Sequence, residues 1–157
     1  MDTKLTRRGL LAAVGGAALL APWSAGAQTY PELTVTKDPS CGCCAAWIEH
    51  MRAAGFSVTV RDAPVNPLKV KLGVPRDLAS CHTAQIDRYV VEGHVPASAV
   101  KRLLAQRPDA IGIAVPGMPV GSPGMEVEGT EPDTYDVVLF GPQGRRVFAR
   151  YRGGQEA

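Results

Sequence analysis

Three of the four cysteines fall in one tetrapeptide, Cys41-Gly42-Cys43-Cys44, and the fourth, Cys81, stands well downstream beside His82. Thiol–disulfide exchange needs only two thiols, which Cys41 and Cys44 supply as a C-x-x-C pair. Cys43 adds a third sulfur, and vicinal Cys43 and Cys44 are poorly placed to close a disulfide with each other. Several soft sulfurs at one point suit a thiophilic metal, Cu(I) first and zinc second. An exported chain with an even number of cysteines also admits a purely structural pairing, Cys41–Cys44 with Cys43–Cys81.

The flanking pattern decides whether those cysteines can meet. Glu32 to Lys37 alternates and predicts a strand. Asp38-Pro39-Ser40 follows as a turn. Cys44, Ile48 and Met51 recur at helical spacing, so a helix over Cys43–Ala54 follows, ended by Gly55. The C-x-x-C thus lies where a strand enters a helix, and a helix N-terminus favours thiolate. Phe56–Arg61 predicts a second strand, and Asn66–Leu72 a short helix. Thr83–Asp87 and Tyr89–Glu92 predict a tight hairpin, and Pro96 opens a helix to Gln106.

This order, β-α-β-α-β-β-α, is the thioredoxin arrangement, an α/β class with a small mixed sheet between helices. In that topology the loop before the third strand faces the C-x-x-C and usually carries a cis-proline. Here it reads Ala79-Ser80-Cys81-His82-Thr83, so a sulfur and a histidine take the proline's place. The missing proline argues against a plain oxidoreductase in which Cys41 attacks and Cys44 resolves. The fourth strand delivers Glu92-Gly93-His94 to the same end. Beyond this core, Ile111–Val115 is a short apolar run and Pro116–Met125 a Pro/Gly loop. Tyr135–Phe140 and Arg146–Tyr151 predict a C-terminal hairpin around Gly141-Pro142-Gln143-Gly144.

Softer candidates surround the cysteines. His82 is either a ligand or a loop histidine bonded to backbone. His94 is either a ligand or a cap for the helix after it. Met118 and Met125 carry thioethers that bind Cu(I) and leave zinc alone, or they plug the core. His50 lies off the apolar helix face and is assigned to solvent. Trp47 is assigned to packing, with room to shield the cysteines. Arg145, Arg146, Arg150 and Arg152 are read as a solvated strand face, with Val147, Ala149 and Tyr151 alternating inward.

The chain has 157 residues, 45% hydrophobic and 20% charged, which excludes a disordered protein and predicts one domain. Lys4, Arg7 and Arg8 precede an apolar run, Gly9–Ala21, too short to span a bilayer. Ala25-Gly26-Ala27 then predicts a cleavage site, so residues 1–27 are expected to be an export signal and 28–157 the working domain. Thr6-Arg7-Arg8-Gly9-Leu10-Leu11 is similar to a twin-arginine signal. The net charge of +2 belongs to that leader, which holds three basic residues and one acid. The remainder is neutral, with no basic surplus for nucleic acid and no membrane span after signal removal.

Four segments in order carry a resemblance: Thr36–Cys44, Ser80–Ala84, Val91–Pro96 and Pro116–Glu126. Together they resemble the domain-of-unknown-function family 411, whose members include a copper-resistance protein. The resemblance runs from about Leu33 to Tyr151. It implies a thioredoxin-like fold, a periplasmic location, and copper held by Cys41, Cys43, Cys44 and Cys81. The reading that follows is a protein that sequesters Cu(I), exchanges it with periplasmic donor or acceptor proteins, or cycles copper between oxidation states. One departure is Asp87-Arg88, where the family's hairpin turn commonly has Asp-Gly; it lies at the far end of the sheet. The competing expectations are a thiol–disulfide oxidoreductase using Cys41 and Cys44, and a zinc-bound or disulfide-stapled interaction module.

Overall fold

The computed structural model describes residues 29–157, so the expected leader lies outside the described residues. Eight strands form one mixed sheet in the order β2-β1-β3-β4-β5-β6-β7-β8. They are β1 (Leu33–Lys37), β2 (Val58–Asp62), β3 (His82–Ile86), β4 (Tyr89–Glu92), β5 (Gly112–Ala114), β6 (Thr134–Gly141), β7 (Gly144–Arg152) and β8 (Gln155–Glu156). Three helices, α1 (Gly42–Ala53), α2 (Val65–Lys71) and α3 (Ala97–Gln106), flank it. The fold is α/β, and its first seven main elements follow the expected β-α-β-α-β-β-α order, with one 3₁₀ turn at Arg76–Leu78 between α2 and β3.

The sheet separates two apolar layers. Trp47, Ile48 and Met51 of α1 and Val100 and Leu103 of α3 pack on Val35, Ala84, Val91 and Ile113. Their strand neighbours point the other way, and Val90, Ala114 and Phe140 meet Val74 and Leu78 there. The predicted C-terminal hairpin is not an appendage. β5 pairs with β4 in parallel and with β6 antiparallel, so β6 and β7 prolong the same sheet.

Within β7 the alternation differs from the sequence expectation. The β6–β7 register slips at Val137/Val138, pairing Val137 with Ala149 but Val138 with Val147. Phe148 is the extra residue of that bulge. It turns inward and is buried, while Val147 is 52% exposed. The arginine reading holds: Arg145, Arg150 and Arg152 pair with Asp77, Asp136 and Glu131 on the exposed face.

The register assembles four chain segments at one end of the sheet. Lys37, the last residue of β1, pairs with His82, the first of β3. Thr83 pairs with Glu92 at the end of β4. Glu92 in turn pairs with Ala114 at the end of β5. The turn into Cys41, the loop through Cys81, the Gly93-His94 corner and the Pro116–Met125 loop therefore all leave from this end.

Candidate metal centre

Four sulfurs converge there. One donor atom from each of Cys41, Cys43, Cys44 and Cys81 lies within 4.8 Å of the others. Cys41 stands at the N-cap of α1 in extended conformation, and the first turn of the helix carries Cys43 and Cys44. Cys41 and Cys44 are joined as a disulfide with Cα atoms 5.4 Å apart. Cys43 and Cys81 are free thiols. Of the two structural pairings considered from sequence, the first is closed and the second is not. Cys43 Sγ lies 3.6 Å from Cys41 Sγ.

A second group shares Cys81: it joins His82 and His94, again with one donor atom from each within 4.8 Å of the others. Cys81 Sγ lies 3.0 Å from His94 Nε2 and 3.3 Å from His82 Nδ1. The His94 tautomer follows from its other nitrogen. Nδ1 stands 2.8 Å from the Pro123 carbonyl, which can only accept, so Nδ1 carries the proton. Nε2 then turns its lone pair to Cys81, whose S–H donates to it. Holding one imidazole nitrogen on a carbonyl while freeing the other is how proteins orient a metal-binding histidine.

Burial sets the protonation of this group. It pushes the Cys81 thiol up to about 11, with neighbouring Cys43 adding to the effect. His82 is pushed down to about 3 by burial first, then by His94 and Lys69. Burial also lowers His94, opposed by its Pro123 hydrogen bond and by Glu126. At neutral pH the group is therefore one thiol and two neutral imidazoles. The unfolded chain protonates its histidines near 6.5, so it binds more protons than the fold below that pH. The stability from neutral burial is complete above 6.5 and is lost as the pH falls toward 3. Urea midpoints of the metal-free protein should drop between neutral pH and about pH 4.5, and less so in His82→Phe. Equal drops in the two proteins would contradict this account.

Trp47 packs in the core, as expected. It is fully buried, donates its indole N–H to Val95 O at 2.8 Å, and lies tilted against His82 with centroids 4.4 Å apart. Of the two alternatives for His94, the cap is not the one formed: its ring turns to Cys81. His50 takes the capping contact instead, against the sequence expectation, accepting the Ala97 N–H at 3.1 Å through Nε2. His50 is half-buried rather than solvated, its ring reaching the backbone at the start of α3.

The Pro116–Met125 loop lies against both sides of the cluster. Ser80, next to Cys81, donates its hydroxyl to Gly117 O at 2.6 Å. Gly124, at φ +85°, rests on the first turns of α1, where a Cβ would come within 2.7 Å of Trp47 N and 3.0 Å of Cys43 O. Met118 is 52% exposed, and Met125 is half-buried. Neither is a core plug.

Sequence reasoning missed a buried polar network beneath the site. Lys69 of α2 is 5% exposed and its ammonium pairs with Glu92, which is fully buried. Lys69 also donates to Thr83 Oγ1 at 2.8 Å, and Thr83 donates to Glu92 Oε2 at 2.7 Å. Glu92 Oε1 accepts the Ser80 N–H at 2.7 Å, holding the residue before Cys81. Gly93 completes this corner at φ +74°, where a Cβ would lie 2.6 Å from Ser80 Cβ. A lysine on a short helix resembles a solvated one in sequence, so no pattern signalled this role.

The donor set is soft: four sulfurs and two neutral imidazoles, with no carboxylate in either group. Such a set suits a thiophilic metal and disfavours magnesium or calcium. His82 Nε2 is buried without any hydrogen-bond partner. Buried polar atoms are nearly always matched, and a bound ion is one of the few things that explains an orphan. The cluster is able to bind a metal.

The comparisons agree with this geometry. The DUF411 family model, a protein of unknown function, matches residues 78–125, which hold Cys81, His82, His94 and the Pro/Gly loop. Two solved structures of the copper resistance protein CopG, Form 1 and Form 2, are each 46% identical to the chain with a TM-score of 0.73. The match covers 79% of this chain and 99% of Form 1, and 78% of this chain and 98% of Form 2. No curated protein matches. Identity at this level over nearly the whole of a solved relative places the chain in the CopG-like DUF411 family.

Proposed function

We propose that this chain is a periplasmic copper-resistance protein that carries Cu(I) as cargo on Cys41, Cys43, Cys44 and Cys81, with His82 and His94 beside them. The observation that supports it is the convergence of all four sulfurs within 4.8 Å, with Cys81 also in the histidine group. The printed name of the solved relative points to copper, and the soft donors favour Cu(I) over zinc. The protein sequesters copper or passes it on. Its leader, residues 1–27, exports it by the twin-arginine route and is removed, leaving residues 28–157 as the working domain. No helix among the described residues is long and apolar enough to cross a membrane.

Full thiolate ligation requires the Cys41–Cys44 disulfide to accept two electrons and two protons from a reductant. Cys81 then gives up its proton as copper arrives, because the raised thiol is protonated at neutral pH. The test is anaerobic Cu(I) loading of the reduced protein followed by metal analysis. The wild type should retain copper that a Cys41/Cys43/Cys44/Cys81→Ser variant releases. Equal retention would overturn the reading.

The closed Cys41–Cys44 pair supports a second reading, a thiol–disulfide oxidoreductase. In that chemistry the disulfide takes two electrons from a dithiol partner, which leaves as a disulfide while Cys41 and Cys44 become thiols. Steady turnover of a model dithiol, undiminished by copper, would favour it.

A further inference from the structure

One face of α1 serves both halves of the metal centre. Cys43, Trp47 and His50 stand at i, i+4 and i+7, which sets them in a stripe along the helix. Cys43, at the head of the stripe, belongs to the four-sulfur group. The other two reach the chain just after His94. Trp47 donates its indole N–H to Val95 O at 2.8 Å, and His50 Nε2 accepts the Ala97 N–H at 3.1 Å. On the other side of His94, the Gly93 N–H donates to His82 O at 3.1 Å. The backbone around His94 is therefore tied to β3 before it and to α1 after it, and its ring reaches Cys81 Sγ at 3.0 Å.

His50 supplies an acceptor that the local sequence does not. Ala97 opens α3, and the first N–H groups of a helix have no partner inside it. Pro96 stands at the N-cap and makes no side-chain hydrogen bond to them. Ala97 is buried, so water is a poor substitute. A backbone N–H can only donate, so His50 Nε2 carries no proton. Burial pushes His50 below the ordinary imidazole range, opposed by Glu126 and helped by Lys101, so the ring is neutral at neutral pH. His50 belongs to neither group of candidate donors.

We infer that His50 is a positioning residue for the metal centre: with Trp47 it fastens the Val95–Ala97 backbone to α1, so that the helix carrying Cys43 and Cys44 also fixes where His94 stands. This rests on the copper reading above and adds a residue outside the donor set. His50 does not meet the ion; it acts through His94. Donors that already stand where the bound state needs them bind more tightly, because no ordering is left to be done when the ion arrives.

The probe is the Cu(I)–bicinchoninate complex, from which the reduced protein withdraws copper anaerobically at neutral pH, and the competition gives the affinity. His50→Leu removes the acceptor and should weaken Cu(I) binding by about tenfold, the size of loss expected for an orienting partner. His50→Gln brings an amide oxygen within reach of the Ala97 N–H and should bind within about twofold of the wild type. His94→Ala should bind more weakly than the wild type, and adding His50→Leu to it should cost nothing more, because residues that act through one another are not additive. Thermal unfolding checks that the variants fold, and His50→Ala replaces His50→Leu if the leucine is not accommodated. Wild-type affinity in the variant lacking the acceptor would overturn the positioning role. So would a His50→Gln as weak as that variant, or a further full loss on top of His94→Ala. A wild type that takes no copper from the probe would instead overturn the copper reading itself.

Discussion

Cys81→Ser should lower Cu(I) affinity at least about a hundredfold, more than the loss of an orienting partner behind a ligand typically causes. Cys81 is the one residue common to the four-sulfur group and the Cys-His-His group. Its removal takes a donor from both and leaves His94 Nε2 with a hydroxyl, a harder and shorter partner. The other three cysteines lie on one turn of chain and can still act together. The change should therefore exceed that of Cys43→Ser, which removes a donor from one group only. Competition with a Cu(I) chelator of known affinity reads this directly, with thermal unfolding as a check that the fold survives. Wild-type affinity in Cys81→Ser would show that the remote loop is not part of the site.

The second large effect concerns stability rather than binding. Glu92→Leu should cost about 3–5 kcal/mol, because it leaves the Lys69 ammonium buried without its counter-charge. Lys69 is only 5% exposed, so water cannot replace the lost partner well. The carboxylate also accepts from Ser80 N and Thr83 Oγ1, so those donors lose their partner as well. Adding Lys69→Met to Glu92→Leu should recover a large part of the loss, since removing both charges ends the desolvation penalty. Recovery should stop short of the wild type by about 1–3 kcal/mol, the cost of the unsatisfied Ser80 amide. Urea unfolding of the reduced, metal-free proteins gives these differences. A double variant no more stable than Glu92→Leu would show that the cost lies in packing, not in the stranded charge.

The two predictions meet at the same loop. Glu92 holds Ser80, Ser80 holds Gly117, and Cys81 stands between them. The buried pair is not near the sulfurs by accident of packing: α2 brings Lys69 to the face of the sheet opposite Trp47, under the start of β3. Thr83 and Glu92 point to that face, while His82 points to the other and lies tilted against Trp47. The alternation of a single strand thus gives the site a polar floor on one side and an aromatic wall on the other.

Much of this was legible in the chain. The helical spacing of Cys44, Ile48 and Met51 placed α1 correctly, since only one helix face can be buried against a sheet. Alternation found most of the strands, and the β-α-β-α-β-β-α order placed Cys81 opposite the C-x-C-C tetrapeptide. The bulge at Phe148 was not legible, because an extra residue in one strand leaves no mark on the composition of either. β8 was missed because two residues are too few for a period.

The sequence by itself determined which atoms could do chemistry and at which end of the sheet they would stand. Residue type sets ligand softness, and strand order sets which loops are neighbours. Only the tertiary structure decided how those atoms are prepared. It closed Cys41 on Cys44, gave His50 the contact at the start of α3, turned His94 to Cys81, and set a buried Lys69–Glu92 pair beneath Cys81. Each of these depends on distances between residues far apart in the chain. Hydrogen bonds and desolvation act over a few ångströms of space, and local pattern does not encode those separations.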